Sequence, residues 1–194
     1  MKPTPDITVE PLDGAGAARA ADAFTLVYAE AFAEPPYRKT AAEVRANAQR
    51  FGVQTCKATF RAALARAADG TPVGIAYGYP LGPRTGWWDR LATPVPADLR
   101  QEDGSRTFGL IELAVRAPWR RGGVASRLHQ AVLARATEER VLLNARPDAE
   151  AAQAAYRSWG YRKVGEAHPW DGAALHDVLV LRLRPAHARA GAGR

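Results

Sequence analysis

"LAVRAPWRRGGVASRLHQAVL", residues 113–133, decides how the rest of the chain is read. An apolar run ends at Val115, Pro118 follows, and Arg120 and Arg121 stand directly before Gly122 and Gly123. Two adjacent glycines weaken a helix or a strand, so they mark a bend whose backbone something approaches closely. Beyond the bend, Val124, Leu128, Ala131, Val132 and Ala136 recur at helical spacing. Unpaired N–H groups at a helix start, with the helix dipole behind them, attract anions. The pattern Arg120-x-x-Gly123-x-Ala125 describes a cradle with an arginine at its lip. A tight strand-to-helix turn carrying surface arginines fits the same six residues. As a cradle, several charge-assisted bonds of roughly 1.5–3 kcal/mol each suffice to anchor a diphosphate. Neither a Gly-Lys-Ser/Thr phosphate loop nor a GxGxxG fingerprint is present.

Outward from that stretch the pattern is regular. Residues 6–12 alternate like a strand, and residues 15–33 place Phe24, Val27, Tyr28 and Ala31 at helical spacing up to the breaker "EPPY" (34–37). Thr40 and Glu43 form a capping-box pair that opens a second helix to about Phe51. Residues 54–66 suit a strand or a helix. "ADGTP" (68–72) is a turn leading into the strand "VGIAYGYP" (73–80). The Gly/Pro-rich connection 81–104 is long enough to expect a functional loop or short helical pieces. A strand over 105–117, a helix over 121–140, a short buried strand at 141–145 and a helix over 147–160 follow. Two strands around "PWDGA" close the series as a hairpin. The order predicts an α+β fold with one mixed, mostly antiparallel central sheet flanked by about four helices. Residues 1–184 are expected to form a single domain, and the tail 185–194 to be disordered.

Composition sets the outer limits. The 194 residues are 47% hydrophobic and 24% charged with a net charge of +7, and Arg far outnumbers Lys. No apolar run reaches the ~18 residues needed to cross a bilayer, and the first residues lack the apolar core of a secretion signal. A cytoplasmic protein without membrane attachment is expected. The single cysteine, Cys56, excludes an internal disulfide and a Cys-rich metal site. The four histidines, His129, His168, His176 and His187, show no ligand spacing, so no metal is expected. Arginines cluster within 117–146, but no nucleic-acid docking motif accompanies them, so nucleic acid is not expected as a partner.

Read with its neighbours, 113–133 resembles the acetyl-coenzyme A motif of the GNAT superfamily of N-acetyltransferases. A second segment, "AAQAAYRSWGYRKVG" (151–165), is similar to that family's Ala-x-x-x-Tyr helix followed by a Gly-aromatic pair. The resemblance implies acetyl-coenzyme A as cosubstrate, no metal, and direct attack by a primary amine in a ternary complex. It implies a cofactor site of Leu113, Val115, Arg120, Arg121, Gly122, Gly123, Val124, Ala125 and Ser126. Leu113 and Val115 would pair with the pantetheine arm, and a backbone N–H near Val115 would face the negative oxygen formed on attack. Tyr156 stands where the family places the acid that protonates the departing thiolate. The sequence departs from the pattern at Ala125, which the family tolerates, and at Ala149, where an Asn is customary.

A lysine-like ammonium costs roughly 4.6 kcal/mol to neutralise at pH 7, so the site must desolvate the amine or supply a base, directly or through water. Glu112 is the candidate, against a reading as a solvated or capping carboxylate. Glu34, Asp89 and Asp103 are expected on the acceptor side, with Tyr37 in the "FAEPPY" segment. Trp87 and Trp88 either line an acceptor pocket or plug the sheet edge. The expected acceptor is a primary amine on a small molecule: an aminoglycoside-type antibiotic, with the resistance role that implies, a polyamine or an amino-acid derivative. A protein or peptide amine, and a non-catalytic acyl-coenzyme A sensor, are the alternatives. An exposed sheet edge or the aromatic loop offers a surface for a homodimer.

Overall fold

A computed structural model describes residues 6–183 of the chain. The expected disordered tail at 185–194 lies outside the described residues. Seven strands form one sheet in the order β1-β2-β3-β4-β5-β7-β6, where β1 is Ile7–Asp13, β2 Arg61–Ala67, β3 Pro72–Pro80, β4 Thr107–Val115, β5 Arg140–Ala145, β6 Arg162–Ala167 and β7 His176–Arg182. The β4–β5 pair is parallel; β1–β2, β2–β3, β5–β7 and β6–β7 are antiparallel. Five α-helices accompany them among the described residues: α1 (Gly14–Arg19), α2 (Ala21–Ala31), α3 (Ala41–Thr55), α4 (Val124–Leu133) and α5 (Glu150–Ser158). The chain divides into two compact units, Met1–Tyr79 with Ile111–Ala136, and Pro80–Leu110 with Thr137–Arg194.

In the first unit, Asp13 ends β1 and caps α1 by accepting from the Gly16 N–H at 2.7 Å. The helix expected over 15–33 is two helices. It breaks at Ala20, whose backbone (φ −98°, ψ 16°) leaves the helical range. Gly14 lets the start of α1 press on the end of α3, since a Cβ there would collide with the Thr55 carbonyl oxygen. The capping box is present: the Thr40 hydroxyl accepts from the Glu43 N–H at 3.3 Å, and Glu43 accepts from the Thr40 N–H at 2.9 Å. α3 runs past Phe51 to Thr55, so Gly52 does not stop it. The β2–β3 hairpin keeps Leu64 opposite Ile75 and Ala63 opposite Ala76. Its aromatic core is tight. Phe24 stacks on Phe51 at 4.7 Å between centroids, and Tyr77 meets Phe51 edge-on at 5.0 Å and stacks on Phe60 at 5.7 Å.

α4 is shorter than the expected 121–140. Arg121 and Gly123 have left-handed backbones (φ 63° and 76°), which keeps the bend out of the helix, and the last turn closes by Leu133. Val124, Leu128, His129 and Val132 form its buried face. Burial lowers the His129 pKa to about 4, which makes it a packed neutral imidazole.

In the second unit the long connection is anchored rather than loose. Short 3-10 turns occupy Gly86–Arg90 and Ala97–Arg100. Arg140, buried at the start of β5, pairs with Glu102 at 2.9 Å and donates to the Leu99 carbonyl and the Thr107 hydroxyl, both at 2.7 Å. The Trp88 indole N–H donates to the same Glu102 at 3.0 Å. α5 ends at Trp159, followed by Gly160 in the left-handed region (φ 93°), as its place in the sequence predicts.

Candidate active site

The bend after β4 is open. A Cβ at Gly123 would meet nothing within 4 Å, and one at Gly122 only the Trp119 carbonyl oxygen at 3.7 Å. The glycines are therefore not demanded by packing of the chain on itself. Gly123 caps α4 without any side-chain hydrogen bond to the helix start. The intrahelical series opens with Arg127 N–H to the Gly123 carbonyl, which leaves the N–H groups of Gly123, Val124, Ala125 and Ser126 facing the bend. Arg121, a non-glycine residue held at positive φ, stores on the order of 1 kcal/mol of strain there.

Two arginines brace this bend from outside. Arg116 grips Glu30 through two bonds, 2.7 and 3.0 Å, and donates to the Pro72 carbonyl at 2.8 Å. Arg120 donates to the Val115 carbonyl at 2.9 Å, to the Ala31 carbonyl at the end of α2 at 3.0 Å, and to Glu34 at 3.3 Å. The Arg120 guanidinium, expected as an anion donor at the lip, ties the end of β4 to the end of α2 in this structure, and Glu34, expected on the acceptor side, is its partner. Arg121, by contrast, is exposed, and Ser126 is half-buried with its hydroxyl 3.4 Å from the Gln130 amide. Leu113 is half-buried on β4, and Val115 is buried with its carbonyl committed to Arg120.

Glu112 lies on β4 in the same unit. Burial pushes its carboxyl up to about 8 although the residue keeps partial solvent access; Arg50 and Lys39 pull in the opposite direction without offsetting it. Around it stand hydroxyls of the same unit. Burial and then the charge of Glu112 raise both Tyr28 on α2 and Tyr77 on β3 above the ordinary tyrosine value, and Asn47 hydrogen-bonds Tyr77. Tyr37 packs edge-on against Phe32 at 4.7 Å and acts electrostatically on Tyr28. The structure thus gathers Glu112, Tyr28, Tyr37, Tyr77, Arg50 and Lys39 in one region. Sequence reasoning found Glu112 and Tyr37 but missed the others. They come from α2, α3 and β3, and none carries a motif of its own.

The remaining expected residues belong to the second unit. Tyr156 is buried on α5 between Trp159 and Tyr161, with centroids 5.6 and 5.4 Å away. Trp88 is buried, bonded to Glu102 and, with Asp89, among the residues lining a cavity of about 420 Å³ in this unit, and Trp87 is half-buried beside Gly109. Asp103 accepts from the Ser105 N–H and hydroxyl and from the Arg106 N–H, 2.7–3.0 Å, and those bonds hold its carboxyl below the usual range. Those bonds make it a turn-forming residue. Asp89 is exposed. No helix of the described residues is long and apolar enough to cross a membrane.

Comparison with known proteins agrees with this geometry. The profile described as the acetyltransferase (GNAT) family matches residues 23–161. No curated protein matches the chain. Among solved structures, the fold is similar to the histone acetyltransferase HPA2 and related acetyltransferase of Corynebacterium glutamicum, with a TM-score of 0.62, 22% identity, and coverage of 93% of this chain and 98% of that one. It is similar to the ribosomal-protein-S18-alanine N-acetyltransferase of Escherichia coli, with a TM-score of 0.63, 14% identity, and 93% and 96% coverage. It is similar also to the PaiA N-acetyltransferase of Thermoplasma acidophilum, solved in complex with coenzyme A, with a TM-score of 0.61, 9% identity, and 92% and 99% coverage. With its family profile matched over most of its length, its glycine bend open and its sheet in the same fold as these enzymes, the chain belongs to the acetyltransferase (GNAT) family.

Proposed function

We propose that the chain transfers an acetyl group from acetyl-coenzyme A to a primary amine on a small molecule, by direct attack in a ternary complex. The observation that carries this reading is the pairing, within one unit, of an open helix-start cradle with a carboxyl group whose burial makes it a base near pH 8. The bend fits a diphosphate: its N–H groups at Gly123, Val124, Ala125 and Ser126 have no backbone partner among the described residues, Gly122 and Ala125 leave the approach clear, and exposed Arg121 adds charge. Leu113 offers backbone groups to the pantetheine arm, and Val115 offers its N–H, since its carbonyl is taken.

Glu112 accepts the proton of the attacking ammonium, directly or through water. A carboxyl held near 8 is far better matched to an amine of pKa ~10.4 than one near 4.5, which narrows the uphill proton transfer by about 5 kcal/mol. We assign Tyr156 as the proton donor to the departing thiolate on the strength of the second motif alone. Antibiotic amines, polyamines and amino-acid derivatives all satisfy this chemistry. Two measurements test the reading together: titration of coenzyme A into the protein, and thiol release from acetyl-coenzyme A across a panel of amines. Tight binding with amine-dependent thiol release is the expected result. Binding with only background release from every amine would leave the sensor in its place, and no binding would end both.

A further inference from the structure

Beside the Glu112 region, the first unit carries a hollow of about 420 Å³ lined by Gln49, Arg50, Val53, Gln54, Lys57 and Tyr79. Its lining has two cations and no carboxylate. Val53 is the most exposed large apolar side chain of the described residues, 74% accessible. Gln54 hydrogen-bonds the Tyr79 hydroxyl, yet its carbonyl oxygen is buried with no partner. A buried acceptor in that state is costly unless something donates to it. The Lys57 ammonium lies over the Tyr79 ring, 4.7 Å from its centroid, and has no carboxylate partner within its lining. Arg50 belongs to both places: it lines the hollow and acts electrostatically on Glu112, Tyr28 and Tyr77.

From this arrangement we propose that the acceptor amine carries a negatively charged group, a carboxylate or a phosphate, which Arg50 and Lys57 hold while its amine faces Glu112. This rests on the acetyltransferase reading and narrows it. The Arg50 fork suits the two oxygens of such a group, and Lys57 adds a point charge beside it. The orphaned Gln54 oxygen accepts an N–H of the same molecule, and Val53 with the Tyr79 ring covers a short apolar stem. Polycations such as aminoglycosides and polyamines meet like charge here, which disfavours them. Of the three carboxylates the sequence offers for a cationic acceptor, Glu34 bonds Arg120, Asp103 holds its own turn, and Asp89 is exposed in the second unit.

The test uses matched acceptors: an amino acid, the amine left by removing its carboxylate, phosphoethanolamine with ethanolamine, and spermidine with kanamycin as polycations. The wild-type protein is expected to favour the anionic member of a pair by at least tenfold in kcat/KM, and whichever pair shows the larger ratio identifies the anion. Lys57→Gln should reduce that ratio about tenfold, chiefly through KM, and Lys57→Glu should reverse it towards the polycations. Lys57 is the better handle than Arg50, because it does not act on Glu112. Unchanged melting of both variants separates the effect from misfolding. Preference for spermidine or kanamycin, or a ratio unmoved in both variants, overturns the proposal. If no amine is turned over, the acetyltransferase reading fails separately, and binding of the N-acetylated amino acid then decides this one. Affinity weakened tenfold by Lys57→Gln sustains the anion site, and equal affinity in wild type and variant sinks it.

Discussion

Replacing Glu112 by Gln keeps the shape of the side chain and removes its proton, and the structure states what must follow. A carboxyl that ionises at 4.5 when unfolded and at about 8 when folded costs the folded state increasingly as pH rises between those values. The gap corresponds to about 5 kcal/mol at ~1.4 kcal/mol per decade, and the partial solvent access of the residue reduces it to a few kcal/mol. Because the folded value is raised, the full stability is present below pH 4.5 and is lost by the time pH has passed 8. Glu112→Gln has nothing to ionise. Urea midpoints of the two proteins should therefore agree near pH 4, and the variant should be the more stable by about 2–4 kcal/mol at pH 9. The same substitution should lower kcat/KM by ~10²–10⁴ and abolish the rise in rate near pH 8, leaving only the rise due to the amine itself. Parallel stability profiles from pH 5 to 9 would refute the buried-carboxyl argument. A persistent rate limb at 8 in the variant would remove Glu112 from the chemistry.

Three further outcomes are expected. Gly123→Ala places a Cβ at φ 76° with no internal clash, so it should cost about 1–2 kcal/mol of stability through backbone strain and weaken coenzyme A binding at least tenfold by calorimetry; unaltered affinity would mean the bend is only a turn. Glu102→Ala strips the buried Arg140 of its carboxylate and Trp88 of its acceptor, and the melting transition should fall by an amount equivalent to about 3–5 kcal/mol. Tyr156→Phe should leave coenzyme A affinity unchanged and lower kcat at least a hundredfold, whereas an undiminished kcat would return Tyr156 to the role of a packed aromatic.

Most strands, the capping box at Thr40, the bend at 120–123 and most of the element order were legible in the sequence; the split of the first helix at Ala20 and the strand within 54–66 were not. Each legible feature is set by neighbours a few residues apart: alternation, helical spacing, a hydroxyl three residues before a carboxylate, two glycines in a row. The family was legible for the same reason, since its motifs are contiguous. What the sequence did not contain was partnership across the chain. Arg120 looked like a ligand-binding arginine and Glu34 like an acceptor carboxylate; 86 residues apart, they bond each other. Asp103 also holds its own turn.

Only the tertiary structure decided that Glu112 is held near 8, that Tyr28, Tyr77 and Arg50 surround it, and that Arg50 and Lys57 share a hollow with an unpartnered Gln54 oxygen. The physical reason is that backbone conformation answers to local sterics, while the energy of a charge depends on how much water and which other charges lie within a few ångströms of it. Those surroundings are assembled from α2, α3, β3 and β4 when the chain packs, and no single stretch of the sequence contains them.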